Sequence, residues 1–191
     1  MAQNKFGIVV FYAYLCINKK DKNMGYTHYW GFKGGASASS VKDGAKKFER
    51  ASAIIGECLK KVQDMGITIR NGVGKGEPEI KKTFVYFNGD ASKGEENETF
   101  YIDLDERGME FCKTARKPYN LLVILSLLAF KHEFGDDFEY SSDGITKEDY
   151  ESRESNEYWK SIGYNPEGPS ADWAQAYEVW DGIKRKLGLV G

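Results

Sequence analysis

Residues 121–130 read LLVILSLLAF, a run that limits the chain to a layered architecture. Only Ser126 interrupts the apolar side chains, so a helix over this run has no polar face. Such a helix must be buried between other layers of a domain. The run is too short to cross a bilayer as a helix, which takes about 20 apolar residues. Pro118, just before it, is typical of the first turn of a helix.

Strands and further helices are predicted around this buried helix. Five stretches combine aromatic and β-branched residues between turn signals, as strands do: residues 25–32, 83–87, 99–104, 110–114 and 138–142. Three others have the spacing or polarity of helices: residues 41–65, 146–158 and 171–187. Strands clustered between helices favour an α+β fold with a mainly antiparallel sheet. The sheet is expected to pack against one long amphipathic helix and the buried helix, with helices at the C-terminal end.

Local signals predict where these elements begin, end and turn. Ser39 or Ser40 is expected to cap the long helix, and Gly66 to end it. Residues 67–70 are expected to form a short strand. Asn88-Gly89 is typical of a tight turn. The strands at residues 83–87 and 99–104 are nevertheless expected to pair across a long connection.

Length and composition limit the classes of protein. A chain of 191 residues with 41% hydrophobic and 29% charged residues suits one globular domain. A net charge of −2 does not favour general attraction to nucleic acid or an anionic membrane, although a local basic patch stays open. Three cysteines without a C-x-x-C pair argue against a disulfide framework. Two histidines without clustered ligands argue against zinc. We expect no cofactor and no metal.

The N-terminal region has two interpretations. Residues 6–17, FGIVVFYAYLCI, are too short to span a membrane as a helix, and no signal-peptide cleavage site follows them. They favour a strand that joins the domain. Alternatively, residues 1–23 are an extension and a single α+β domain occupies residues 24–191.

The aromatic string GYTHYW, residues 25–30, is the first candidate site. Alternation along a strand puts Tyr26, His28 and Trp30 on one face. These side chains could line a ligand cleft, with rings stacked on a base or sugar and His28 donating a hydrogen bond or a proton. The commoner arrangement is a strand whose rings pack in the core around a hydrogen-bonded histidine, and we favour it.

The second candidate site is KTARKPYN, residues 113–120, where the chain enters the buried helix. Lys113, Arg116 and Lys117 oppose the helix dipole, so the stability of the helix does not require them. An anion would satisfy both these cations and the free amides of the first turn. A solvated basic loop is the alternative.

Three other motifs are weaker indications of a functional site. Asp143, in the string SSDG, is a cap or turn residue in the favoured interpretation and a catalytic carboxylate or ribose acceptor in the other. The loop GVGKG, residues 72–76, lacks the spacing of a phosphate-binding loop. A nucleophilic pair of Cys112 and His28 is disfavoured, because burial raises the pKa of a thiol and makes it inert.

Four strings together carry a resemblance: MGYTHYW at residues 24–30, FNG at 87–89, CKTARKPYN at 112–120 and SDG at 142–144. They resemble a family of small uncharacterised proteins encoded by tailed bacteriophages and prophages, over about residues 24–187. The resemblance implies a phage-type protein in the cytoplasm of a bacterial host. It does not indicate any particular catalytic activity, because this family has no assigned function.

Three functions follow as hypotheses. The first is an accessory protein that sequesters a small anionic ligand, such as a nucleotide or a nucleotide-derived host defence signal. Its binding residues would be Tyr26, His28, Asn88, Lys113, Thr114, Arg116, Tyr119 and Asp143. The second is a nucleotide hydrolase or phosphodiesterase, with His28 as general acid or base and Asp143 orienting it or a metal. The third is an inhibitor that binds a host protein through exposed aromatic residues, including Trp173, Tyr177 and Trp180.

Overall fold

The computed structural model describes residues 26–152, 157, 160–161 and 168–189. The N-terminal strand or extension predicted over residues 1–23 lies outside them. The elements are β1 (Thr27–Phe32), α1 (Gly44–Asp64), β2 (Glu79–Ile80), β3 (Phe84–Phe87), β4 (Phe100–Asp103), β5 (Met109–Lys113), α2 (Asn120–Phe134), β6 (Phe138–Ser142), α3 (Lys147–Glu151) and α4 (Ala171–Leu187). The predicted α+β fold is confirmed.

The described strands form two antiparallel sheets of three strands, with orders β5-β1-β6 and β2-β3-β4. In the first sheet, β1 is central, so His28 is opposite Cys112 on one side and Ser142 on the other. In the second, β3 and β4 pair across the long connection as expected. The central position of β1 brings its core-facing side chains against helices α2 and α4.

Helix α2 is the buried helix that the apolar run predicts. Every residue from Asn120 to Phe130 is buried, and the helix packs against α1, α4 and β6. Phe130 has its ring centroid 5.0 Å from that of Phe48 on α1 and 5.5 Å from that of Phe138 on β6. Ser126, the one polar interruption, donates its hydroxyl to the Leu122 carbonyl at 2.8 Å, so no buried polar atom is left unpaired there.

Several predicted boundaries are wrong for local reasons. Helix α1 begins at Gly44, and Ser39 and Ser40 belong to a short 3₁₀ helix before it, where Ser37 and Ser40 form a capping box. A Cβ atom at Gly44 would lie 1.8 Å from the Ala38 carbonyl oxygen, so this close approach requires glycine. Pro118 lies in the turn before α2, which begins two residues later.

The stretch around Asn88 also differs from its prediction. The short strand expected at residues 67–70 reduces to a single bridge between Arg70 and Asn88. Asn88-Gly89 is not a tight hairpin turn, because the chain continues through a 3₁₀ helix, Ala91–Lys93, before reaching β4.

The helix predicted over residues 146–158 is shorter in the structure. It is α3, which ends at Glu151, and part of the remaining stretch lies outside the described residues.

Truncation of a side chain on α2 tests its role as the centre of the core. Leu125 is fully buried, so Leu125→Ala is expected to lower the free energy of unfolding by about 2–5 kcal/mol. Leu187→Ala, at the exposed end of α4, is the matched control and should cost about 1 kcal/mol or less. Urea denaturation of both variants measures the difference. Equal losses would contradict this account of the core.

Candidate functional site

A cavity of about 490 Å³ lies between the segment that leads into α2 and the start of α4. We call it the α2–α4 cavity. Its polar lining comes from Arg116, Lys117, Asn120, Ser170, Asp172 and Gln175, and its apolar lining from Ile67, Pro118, Leu121 and Ala171. The volume lies within the range of about 300–1,000 Å³ that is usual for small-molecule sites.

One wall is a backbone segment in an uncommon conformation, residues 114–119, which we call the strap. Ala115 and Arg116 have φ angles of 51° and 54°, in the left-handed region that non-glycine residues rarely adopt. The amides of Thr114 and Ala115 both donate to the Tyr26 carbonyl, at 2.8 and 3.2 Å. Conformations of this kind cost on the order of 1 kcal/mol each and are concentrated at functional sites.

The strap positions Arg116 over an aromatic ring. The guanidinium carbon lies 4.0 Å from the centroid of the Tyr26 ring, within the range of a cation–π contact. Arg116 is exposed, so its hydrogen-bond donors face solvent and the cavity. The Lys117 ammonium donates to the Gly94 carbonyl at 2.6 Å. Arg116 is therefore the cation that the strap presents most openly.

Asn120 joins the strap, the sheet and α4 behind the cavity. Its side-chain oxygen accepts from the Thr114 hydroxyl at 2.6 Å and lies 2.7 Å from His28 Nε2. Its amide nitrogen donates to an Asp172 oxygen at 3.4 Å. The opposite amide orientation would put the oxygen against the Asp172 carboxylate. His28 is therefore the donor in its bond, and its proton is on Nε2.

Tyr26 extends the same network toward α4. Its hydroxyl lies 3.4 Å from the Ser142 hydroxyl oxygen, which also accepts from the Trp173 indole N–H on α4 at 3.2 Å. Burial is the main cause that raises the pKa of Tyr26 above its ordinary value, and the nearby Asp172 carboxylate raises it further, so the phenol stays protonated. A Cβ atom at Gly144 would lie 2.0 Å from the Tyr26 oxygen. The glycine of the SDG string thus makes room for this hydroxyl.

His28 is a neutral, buried donor in this network. Burial lowers its pKa from 6.5 to about 4, against the opposing effect of its hydrogen bond to Asn120. Its Nδ1 atom is buried without a hydrogen-bond partner among the described residues. The favoured interpretation of Tyr26, His28 and Trp30 as core-facing side chains agrees with their burial. At neutral pH the imidazole can orient Asn120 but carries no charge.

The structure brings together four of the eight predicted binding residues. Arg116 lines the cavity and contacts the ring of Tyr26, which is buried behind it. His28 and Thr114 are fully buried one layer behind it, and both bond to Asn120. Thr114 is thus occupied by protein partners, and the phosphate contact predicted for its hydroxyl has no support in this arrangement.

The other four predicted residues lie elsewhere in the structure. The Asn88 side chain bonds to the Gly72 and Asn97 carbonyls and to the amides of residues 89 and 97. Tyr119 is buried and donates to the Glu98 carbonyl at 2.7 Å. Lys113 is exposed on edge strand β5. These three side chains do not line the α2–α4 cavity.

Asp143 binds the strand next to it. Its carboxylate accepts from the Thr27 amide at 2.9 Å, and its own amide donates to the Thr27 carbonyl at 3.0 Å. His28 bonds to Asn120 instead, so each of the two residues has a protein partner. The hydrolase hypothesis, which requires His28 and Asp143 to converge, stays a prediction.

Cys112 is opposite His28 in the ladder, but its thiol is buried and faces the Glu98 carbonyl at 3.2 Å. Burial raises its pKa to about 12. The thiol is therefore inert at neutral pH, which agrees with the interpretation of Cys112 as a buried residue.

The free amides expected at the start of α2 are not there. The amides of Asn120, Leu121 and Leu122 donate to the carbonyls of the three residues 117–119. The N-terminus of α4 differs, because its N-cap residue, Ser170, makes no side-chain hydrogen bond to the helix amides. Ser170 bonds instead to the Ile145 amide and carbonyl. The uncapped helix N-terminus at the cavity therefore belongs to α4, whereas the sequence predicted it at α2.

Sequence reasoning missed Asn120 and Asp172 as site residues. Asn120 is the last residue of the string KTARKPYN, and a polar side chain at the start of an apolar helix was the available signal. Asp172 lies two residues after Ser170 and directly before Trp173, a pattern that indicates only a helix start. The aromatic patch predicted on α4 is not exposed, because Trp173 and Trp180 are buried in the core.

A second cavity, of about 480 Å³, lies beside the GVGKG loop and includes Arg70, Lys75 and Asp90. Arg70 already pairs with Asp90 at 3.3 Å. The described residues contain no group of three or more His, Cys, Asp or Glu that could hold a metal ion. None of the described helices has the length and apolar character needed to cross a membrane.

Comparisons with known proteins leave the function to be argued from the site. A scan of protein-family models and searches of curated proteins and of solved structures find no match to this chain. The resemblance to phage and prophage proteins therefore stays a prediction. One fold can have many unrelated functions, so the function is inferred from the chemistry of the cavity.

The buried imidazole predicts a pH dependence of stability. The unfolded chain takes up the His28 proton near pH 6.5, whereas the folded protein takes it up only near pH 4. Stability is therefore full above about pH 6.5 and is lost as the pH falls toward 4, by about 3 kcal/mol in total. His28→Gln keeps a donor and removes the titrating group, so its stability should fall less over this range. Urea denaturation between pH 4 and 7 compares the two proteins. Parallel losses would contradict the burial of a neutral His28.

Proposed function

We propose that the protein binds a small anionic ligand, with a nucleotide as the best-fitting class, in the α2–α4 cavity. The observation that carries the proposal is the Arg116 guanidinium, which a strained strap holds over Tyr26 at the cavity. An arginine in this position offers several donors in a fixed fork that matches phosphate or carboxylate oxygens. The stability of helix α2 does not explain why a strained backbone holds a cation here, because a cation before the helix opposes its dipole.

The electrostatics of the cavity support an anion. Arg116 and Lys117 contribute two positive charges, and Asp172 contributes one negative charge. Helix α4 points its positive end at the cavity without a capping side chain. Helix α2 has no acidic residue in its first turn, so its dipole adds to the same field. One anionic group on a ligand would therefore meet a net positive site.

The apolar part of the lining supports a ligand that also has a flat or hydrophobic portion. Ile67, Pro118 and Leu121 share the cavity with the charged groups. A base or another ring could bury its faces against them, while its polar edge reaches Gln175 or Ser170. Mixed lining of this kind is typical of small-molecule sites.

The biological role that fits is sequestration. Binding alone requires none of the catalytic groups, and the buried, neutral His28 supports binding over acid–base catalysis. In a phage-type protein, the setting that the sequence resemblance implies, a host nucleotide signal used in defence is the ligand we favour.

A protein-binding role is the second candidate, on a different surface from the predicted one. Met109 and Phe111 are 56% and 58% exposed on β5, an edge strand. The Phe111 ring centroid lies 6.4 Å from that of the neighbouring Tyr29 on β1. Exposed apolar side chains on an edge strand are a common feature of protein interfaces.

Removal of the strap arginine tests the proposed function. Arg116→Ala should weaken the binding of a nucleoside monophosphate at least about tenfold, because a charge-assisted pair with phosphate is lost. Arg107→Ala, in the exposed loop between β4 and β5, is the matched control and should bind like the unaltered protein. Isothermal titration calorimetry with the four ribonucleoside monophosphates and inorganic phosphate measures both. Equal binding by the two variants would contradict the proposal.

A further inference from the structure

We infer that the Asp172 carboxylate accepts hydrogen bonds from the sugar hydroxyls of the ligand. The α2–α4 cavity would then select a ribonucleotide with a single phosphate group. This inference rests on the proposed function, which concerns only the anionic group. It adds a second recognition element, from a different helix, and thereby names the class of ligand.

The carboxylate of Asp172 has unused acceptor capacity at the cavity. Asp172 is half-buried and lines the cavity. It accepts from the Asn120 amide at 3.4 Å, and it lies near the Tyr26 hydroxyl. An ionised carboxylate offers about four lone-pair positions, so at least about two remain for a ligand. A neutral group that donates, such as a hydroxyl, can use them without placing a second negative charge beside Asp172.

Tyr26 sets the spacing between the two recognition elements. Arg116 lies over the face of its ring, and the Asp172 carboxylate is near enough to its hydroxyl to raise the pKa of the phenol. The cation and the carboxylate therefore approach the same tyrosine side chain, and both line the cavity. A phosphate and the hydroxyls of the attached sugar lie next to each other in a nucleotide. A ligand of this type can meet Arg116 with one part and Asp172 with the next.

The charge of the cavity sets an upper limit on the phosphate groups. Arg116, Lys117 and Asp172 sum to one net positive charge, and the Lys117 ammonium is already bonded to a carbonyl. A single phosphate monoester carries about 1.5 to 2 negative charges at pH 7. Each further phosphate adds charge near Asp172 without a new cation to meet it. Di- and triphosphates should therefore bind more weakly than the monophosphate.

The test compares ribonucleotides with deoxyribonucleotides as ligands of the 191-residue chain. Calorimetry with AMP, dAMP and ATP should give AMP an affinity at least about tenfold above that of dAMP and of ATP. GMP, CMP and UMP, each with its deoxy counterpart, cover the choice of base. In Asp172→Ala the preference for ribose should disappear, with the affinity for the deoxynucleotide kept within about threefold. Asp181→Ala, on the exposed side of α4, is the matched control and should keep the preference.

The outcomes separate the two proposals. Equal binding of ribo- and deoxyribonucleotides by the unaltered protein, with loss of both in Arg116→Ala, overturns the role of Asp172 and leaves anion binding intact. No binding of any monophosphate at millimolar concentration overturns both. Because Asp172→Ala removes a hydrogen-bond partner of Asn120, thermal unfolding checks its folding. If it is unfolded, Asp172→Asn takes its place, and an unchanged preference for ribose in that variant overturns the inference.

Discussion

The hydrogen bonds of the Asn120 side chain are the constraint on which the arrangement of the site depends. This one buried amide holds the central strand through His28, the strap through Thr114, and helix α4 through Asp172. Each bond contributes on the order of 1 kcal/mol, but an unpaired buried partner costs about 1–3 kcal/mol. The three parts are therefore held in one relative position. The strap can adopt its left-handed backbone because Tyr26 and Asn120 anchor it on both sides.

The chemistry of the cavity follows from what this interior network does to each group. His28 is neutral, because burial favours the uncharged ring. Tyr26 is protonated for the same reason. The charges remain at the cavity, on Arg116, Lys117 and Asp172. This division between a neutral polar interior and a charged lining suits ligand binding, since no proton needs to move.

The amino-acid sequence predicts the layers of the fold better than the site. Helix α2 follows from its lack of a polar face, and β1 from its alternating aromatic residues, because burial dictates both patterns. The site residues divide differently. Asn88, Tyr119 and Asp143 belong to strings that suggested a ligand, but their polar atoms bond to neighbouring backbone. A side chain that holds a loop and one that holds a ligand can be identical in sequence. Asp172 reaches Asn120 only through the packing of α4 on α2, which no local pattern reports.

An NMR titration of the 191-residue chain tests whether the α2–α4 cavity is where a ligand binds. The probe is a ribonucleoside monophosphate, followed through the backbone amides, the Arg116 side-chain Nε–H and the Asn120 side-chain amide. The largest chemical-shift changes are expected at Arg116 and Asn120 and at the amides of Ala171 and Asp172, with small changes at β3 and β4. Changes confined to Arg70, Lys75 and the GVGKG loop, or to Met109 and Phe111 on β5, would contradict the assignment of this cavity as the binding site.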